Sequence, residues 1–245
     1  RRQRQMCIRD SSRWYSGSGI YRDVNLWTGK GVYISHDKLR ITTLSVNDDM
    51  AVLEVCAQLK NIIGHGLEAE CLIEIKKDGQ KAASNTQRVV FRSEQMQTVR
   101  VQIPIEQPKK WSPAQPALYE CHITTRFDDE ICDEAVSNFG IRVLALDPVH
   151  GLQINGETVK LRGTCIHHDN GVIGAETFKE AEWYRCKRLK EAGFNAIRSA
   201  HHPMSRAMLD ACDHIGMLVM DELTDMWDKE KNTYDFSDIF EDEYN

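Results

Sequence analysis

The segment FNAIRSAHHPMSRAMLDACDHIGMLVMDE, from Phe194 to Glu222, decides how the second half of this 245-residue chain folds. Its pattern predicts a strand, a polar turn, a helix opened by Pro203 and stopped by Gly216, a buried strand and an acidic end. The apolar residues of the predicted helix fall on one face, namely Met204, Met208, Ala211, Cys212 and Ile215. Strands joined by a helix run parallel, so the segment predicts an α/β fold.

The same alternation begins upstream, after Pro148. Asn155-Gly156 predicts a two-residue hairpin, and the stretch LRGTCI predicts a buried strand. Thr177 and Glu180 predict a capping box for a helix that stops at Gly193. The resulting β-α-β-α-β order is that of a parallel sheet or barrel.

Polar side chains gather directly after each of the three predicted parallel strands. The carboxyl ends of parallel strands meet at one edge of the sheet, where such folds place their chemistry. We therefore expect one functional site made from three strand ends: His167, His168 and Asp169 after the first, Arg198, His201 and His202 after the second, and Asp221, Glu222, Asp225 and Trp227 after the third.

Two kinds of ligand suit these residues. Four histidines and several acids could bind zinc, but adjacent residues of an extended segment point to opposite faces, so neither histidine pair easily shares one ion. Sugars need converging donors and acceptors with an aromatic platform. We therefore predict no metal and no cofactor, and a carbohydrate site formed by His167, Asp169, Arg198, His201, Glu222, Asp225 and Trp227. A simple ion pair between Arg198 and Glu222 is the structural alternative.

The first half of the chain has a different pattern, of short strands and turns from about Val32 to Leu146. Asp78-Gly79 is a strong hairpin signal within it. Alternating apolar residues predict the strands 39–46, 50–61, 67–77, 87–91, 96–105, 118–127 and 138–146. This pattern predicts an all-β immunoglobulin-like sandwich.

Bulk composition excludes several classes of protein. A formal net charge of −6 argues against binding of nucleic acid, and no apolar run is long enough to span a membrane. The opening RRQRQMCIRD lacks the apolar stretch of a signal peptide. The eight cysteines form no C-x-x-C pair, and six of them fall in strand-like runs or on predicted helices, namely Cys56, Cys71, Cys121, Cys165, Cys186 and Cys212. This favours free thiols in a reducing compartment, so the cytoplasm is favoured while the location stays open.

The motifs carry a family resemblance. Asn195-Ala-Ile-Arg-Ser-Ala-His-His-Pro203, with Asp213 and Gly216, resembles the first signature of glycoside hydrolase family 2, which includes β-galactosidases, β-glucuronidases and β-mannosidases. His202 departs from the usual tyrosine. SSRWYSGSGIYRDVNL resembles the last strand of that family's sugar-binding jelly roll, and PKKWSPAQPALYECHI resembles a loop of its sandwich domain. NGETVKLRGTCIHHDNGVIGA and MDELTDMWDKEKNTYDFSDIFEDEY resemble parts of its barrel, the former in a form frequent among bacterial β-galactosidase-like members.

The resemblance implies a domain organisation and site roles. Residues 1–27 would end an amino-terminal jelly roll, 28–147 would form the immunoglobulin-like sandwich, and 148–245 would form the first three βα units of an incomplete (β/α)8 TIM barrel. In this family, histidines matching His167 and His201 contact the glycone, the non-reducing sugar. An arginine matching Arg198 supports the nucleophile, and acids matching Asp169 and Glu222 line the pocket.

The resemblance also implies a retaining mechanism with two glutamates, the acid/base lying in an Asn-Glu pair. This chain contains no Asn-Glu dipeptide. We therefore expect both catalytic glutamates beyond Asn245, and no turnover by the 245 residues alone. A non-catalytic sandwich or glycan-binding module with a barrel remnant, and a barrel metal-hydrolase, remain alternatives, and a homo-oligomeric parent protein stays open.

Overall fold

The computed structural model describes residues 19–20, 22–92 and 95–223. Leu26–Lys160 form one compact unit, and the described residues up to Asn25 join those from Leu161 onward in a second. Each unit has its own hydrophobic core. The division between the two units falls after Lys160, beyond the hairpin that follows Pro148.

The first unit is built almost entirely from strands. A short 3-10 helix, His36–Lys38, lies between the first two. The strands are Val32–Ile34 (β1), Arg40–Val46 (β2), Met50–Asn61 (β3), Leu67–Lys77 (β4), Gln80–Phe91 (β5), Met96–Glu106 (β6), Leu118–Phe127 (β7), Glu130–Gly140 (β8), Leu144–Asp147 (β9), Gly151–Ile154 (β10) and Glu157–Thr158 (β11).

Two antiparallel sheets form the sandwich. In one, β3 pairs with β1, β2 and β6; in the other, the order is β5-β4-β7-β8. Alternate residues of β3 are fully buried, including Leu53, Val55 and Leu59. Ile73 of β4 and Ile123 of β7 belong to the same core. Because successive side chains of a strand point to opposite faces, this alternation is what one buried face requires. The predicted all-β immunoglobulin-like sandwich is confirmed.

One predicted strand was wrong. The sequence predicted a single strand over 138–146, but β8 ends at Gly140 and β9 starts at Leu144. β8 also begins eight residues earlier, after a tight turn in which Asp128 and Asp129 have φ of 52° and 60°. Aspartate tolerates the left-handed region better than most residues, so the hairpin forms without a glycine and without the usual sequence signal.

The two predicted glycine hairpins are confirmed. Asp78-Gly79 joins β4 directly to β5, with φ of 51° and 77°, so β5 starts at Gln80 and not at residue 87. Asn155-Gly156 joins β10 to β11, with φ of 53° and 85°. The side chain of Asn155 also accepts from the Val143 amide at 3.0 Å and donates to the Trp111 carbonyl at 3.0 Å.

The second unit has three parallel strands and two helices. They are Gly163–Ile166 (β12), Lys179–Glu191 (α1), Ala196–Ser199 (β13), Arg206–Ile215 (α2) and Leu218–Met220 (β14). Both strand pairings are parallel, in the order β12-β13-β14. Neither of these helices is long and apolar enough to cross a membrane. The predicted βα units at the start of a barrel are confirmed.

Both helices begin differently from the prediction. Phe178 is the residue before α1 and makes no side-chain cap, while the hydroxyl of Thr177 donates to Glu182. The predicted Thr177–Glu180 capping box was therefore wrong. Ser205 caps α2 by accepting from the Met208 amide at 3.2 Å, so Pro203 precedes the helix and does not open it.

Candidate functional site

The three parallel strands bring their polar ends to one edge of the sheet. Cys165, Arg198 and Met220 are directly opposite one another in the register. Beyond the last paired residues, the Ala200 amide donates to the Ile166 carbonyl at 2.8 Å. The segments that follow β12 and β13 are therefore held side by side as they leave the sheet.

Glu222 is the centre of the polar cluster at this edge. Its Oε1 accepts from Nε of Arg198, and its Oε2 accepts from the backbone amide of His201 at 2.6 Å. Nδ1 of His201 lies 3.7 Å from the same Oε2. One carboxylate after β14 thus orients both a guanidinium and a loop after β13.

The backbone of His201 is in an unusual conformation. Its φ is +73°, in the left-handed region that non-glycine residues seldom adopt. Such a conformation costs roughly 1–3 kcal/mol and persists only where neighbouring contacts enforce it. The bond from the His201 amide to Glu222 is such a contact, so Glu222 helps to hold the loop in the shape that presents the His201 ring.

The four histidines divide into two pairs across the loops. The His167 and His201 rings stack with centroids 5.5 Å apart, whereas His168 and His202 meet at 4.5 Å in a tilted arrangement. Neighbours in sequence thus pair with different partners, as expected for opposite faces of an extended segment. Across residues 19–20, 22–92 and 95–223, no three His, Cys, Asp or Glu side chains are grouped to hold a metal ion.

Several contacts that support the second loop were not foreseen. Asp221 accepts from the Met204 amide at 3.0 Å, and the Ser199 hydroxyl donates to the His202 carbonyl. Arg22 donates to the Pro203 carbonyl at 2.7 Å and to the Met204 carbonyl at 3.3 Å. Arg22 precedes Pro203 by 181 residues, and no local pattern signals such a contact.

The first loop, after β12, is held by α1. Arg185 donates through Nη1 to the carbonyls of His167, at 3.2 Å, and of Asp169, at 2.6 Å. The structure therefore brings His167, Arg198, His201 and Glu222 into one cluster and ties Asp169 to it through its backbone. Asp225 and Trp227, also predicted for the site, lie outside the described residues.

The environment of Glu222 favours its charged form. Partial burial opposes ionisation, but the hydrogen bonds from Arg198 and from the His201 amide, with the positive charge of Arg198, hold the pKa of this carboxyl below its ordinary value. Glu222 in turn raises the pKa of Arg198. At neutral pH the pair is fully charged, so Glu222 is an anion that orients its neighbours and is unsuited to donate a proton.

The ion pair has a predictable pH dependence. A carboxyl whose pKa is lower in the folded state contributes stability above its unfolded pKa, about 4.3 for glutamate, and loses it as pH falls through the folded value. We expect the difference in free energy of unfolding between the unchanged chain and Glu222→Gln to stay constant from about pH 7 to pH 5. The difference should shrink below about pH 4, where Glu222 becomes protonated. Urea titrations at each pH measure it. A difference that grows on acidification would contradict the assignment.

Known proteins resemble this chain in both sequence and fold. The family profile "Glycosyl hydrolases family 2" matches residues 32–142, and "Glycosyl hydrolases family 2, TIM barrel domain" matches 149–233. Beta-galactosidase BoGH2A of Bacteroides ovatus is 33% identical over 241 residues, covering 94% of this chain and 27% of that protein. The sandwich, the parallel βα units and the polar strand ends thus define a glycoside hydrolase architecture.

Solved structures agree with this. A glycosyl hydrolase family 2 member from Bacteroides cellulosilyticus is 35% identical, with a TM-score of 0.86 over 94% of this chain and 30% of that one. A Bacteroides uniformis beta-glucuronidase is 25% identical, with a TM-score of 0.76 over 83% of this chain and 25% of that one. The chain belongs to glycoside hydrolase family 2. It spans about a quarter to a third of the length of these relatives.

Proposed function

We propose that this chain forms one wall of the active site of a retaining β-glycosidase that hydrolyses terminal β-D-galactosides. The observation that carries the proposal is the cluster of His167, Arg198, His201 and Glu222 at the carboxyl edge of the parallel strands, in a chain of this family. Converging imidazole and guanidinium groups suit the hydroxyls of a sugar ring. The division into 1–27, 28–147 and 148–245 is part of the same proposal.

The cluster supplies binding and orientation. Arg198 carries five N–H donors in a planar fork, and Glu222 engages the fork through Nε. That contact fixes the plane of the guanidinium, which can then support a catalytic carboxylate. The stacked rings of His167 and His201 present ring nitrogens to the glycone from two different loops.

The proposal does not assign the two catalytic carboxyl groups to this cluster. A retaining glycosidase needs two carboxyl groups about 5–5.5 Å apart, one as nucleophile and one as acid/base. Glu222 is engaged by Arg198 and by the His201 amide, and it stays ionised. The proposal therefore assigns both catalytic roles to glutamates beyond Asn245 and predicts that the 245 residues bind the glycone without cleaving it.

A panel of aryl β-glycosides tests the proposal. We expect the native protein that contains this chain to hydrolyse the β-galactoside with kcat/KM at least about tenfold above the β-glucuronide and β-mannoside, a ratio within reach of pocket contacts. We expect β-galactose as the first product by NMR. The 245-residue chain alone should bind galactose and show no turnover. An α-anomer as first product, or hydrolysis by the chain alone, would contradict the mechanism.

A further inference from the structure

A buried ion pair on α1 contacts the first loop of the site. Glu182 is 1% exposed, and its Oε2 accepts from Nη2 of Arg185 at 2.8 Å. A buried carboxylate is costly unless it is paired and hydrogen-bonded. Glu182 meets this condition, because its Oε1 accepts from the Thr177 hydroxyl and from Nδ2 of Asn170, the latter at 3.5 Å.

The contacts of this pair all lead into the same loop. Asn170 and Thr177 are loop residues between β12 and α1. Arg185 reaches the loop as well, through the carbonyls of His167 and Asp169. Asn170 and Gly174 close the loop on itself with two backbone bonds of 2.8 Å. Two side chains one helical turn apart therefore hold the loop at its start, middle and end.

From these contacts we infer that Glu182 and Arg185 are positioning residues for glycone binding, an inference that rests on the proposed function. They set the backbone of the loop that presents His167 and Asp169. The bond to the His167 carbonyl holds the backbone from which the His167 ring reaches His201, and Nδ1 of that ring lies 3.3 Å from the Ala200 carbonyl. A misplacement of a binding group by about 1 Å can cost 100-fold in rate. Neither residue belongs to the cluster around Glu222.

The geometry also explains why this pair is an arginine with a glutamate. The fork of Arg185 uses Nη2 for Glu182 and Nη1 for two carbonyls at once. A lysine is a single point of charge on a flexible stem and cannot reproduce that arrangement. Glu182→Gln keeps the size and one oxygen acceptor but removes the charge that holds the fork in place.

Hydrogen exchange on the 245-residue chain tests the positioning role without any sugar. We expect Glu182→Gln and Arg185→Lys to speed exchange of the slow amides between His167 and Thr177 by about tenfold or more, since local contacts govern local opening. Amides of β13 and of the sandwich should be unchanged. Glu191→Gln is the matched control, because Arg188 and Glu191 form the same i,i+3 pair on the exposed face of α1, at 2.9 Å.

Kinetics of the native glycosidase provide the second readout. We expect Glu182→Gln and Arg185→Lys to raise KM for the aryl β-galactoside about tenfold or more at a temperature where circular dichroism shows both variants folded. If either variant fails to fold, Asn170→Ala and Thr177→Val replace it, because each removes one hydrogen bond to Glu182. Each should raise KM about threefold, which corresponds to the loss of one weak hydrogen bond.

The outcomes separate the two proposals. Faster loop exchange with raised KM supports the positioning role. Unchanged loop exchange in folded variants overturns it, and so does an unchanged KM despite faster exchange. If the native protein cleaves none of the glycosides, the proposed function fails, while the exchange experiment still shows whether Glu182 and Arg185 hold the loop.

Discussion

Glu222→Gln is expected to lower kcat/KM of the native protein for the aryl β-galactoside of the proposed function by about 100-fold, the scale seen when one preorganised electrostatic contact is removed from an active site. The carboxylate holds Nε of Arg198 and the amide of His201 at the same time. The neutral amide of glutamine lacks the negative charge that holds the Arg198 guanidinium in its plane. It also weakens the acceptor that keeps His201 in its left-handed conformation.

The control for this change is Glu191→Gln, which neutralises a carboxylate of an exposed ion pair on α1 and should leave kcat/KM within about twofold. Steady-state kinetics on an aryl β-galactoside measure both variants. A kcat/KM for Glu222→Gln that stays within about threefold of the wild type would mean that Arg198 and Glu222 form only a structural ion pair. That alternative was left open by the sequence.

Trp111→Ala is expected to destabilise the sandwich unit by about 3–5 kcal/mol, as removal of a large buried aromatic side chain does. Trp111 is 1% exposed, and the guanidinium of Arg142 lies 4.4 Å from its ring centroid. Gly140 also lies against Trp111, since an added Cβ there would lie 2.7 Å from Cβ and Cγ of Trp111. The indole therefore fills a site that only glycine leaves open.

The close contact with Gly140 offers an internal check. Gly140→Ala alone should cost about 1–3 kcal/mol through overpacking. In the double variant with Trp111→Ala, the contacts with Cγ and Cδ1 of the indole are gone, while the contact with Cβ at position 111 stays. The total cost should therefore fall below the sum of the two single costs without the overpacking being removed entirely. Trp27→Ala, at a position 61% exposed, should cost less than about 1 kcal/mol. Urea unfolding followed by far-ultraviolet circular dichroism measures all four, and full additivity would contradict the packing.

Local patterns predicted most of the elements. The alternation of buried and exposed residues in β3, the hairpin at Asp78-Gly79 and the apolar face of α2 all follow from neighbours within a few positions, so they can be read without the fold. The placement of polar residues after β12, β13 and β14 was equally local. It predicted the cluster of His167, Arg198, His201 and Glu222 because parallel strands must end at one edge.

The two features that the sequence predicted wrongly, the start of α1 and the hairpin between β7 and β8, are both set by contacts outside the local sequence. Thr177 had a local partner in the predicted capping box, but its hydroxyl donates to Glu182. The buried carboxylate of Glu182 gains more from that bond than the solvated start of a helix would. The turn at Asp128-Asp129 is imposed by pairing of β7 with β8, and it lacks the glycine that usually signals such a turn.

The parallel βα order, the family and the residues at the strand ends were thus determined by the sequence alone, because each depends on periodicity or on a short motif. Only the tertiary structure decided what those residues contact. Glu222 meets Arg198 across 24 positions, and Arg185 meets His167 across 18. Contacts of this kind depend on how strands align and how a helix packs back on them, and those long-range choices leave no local pattern in the chain.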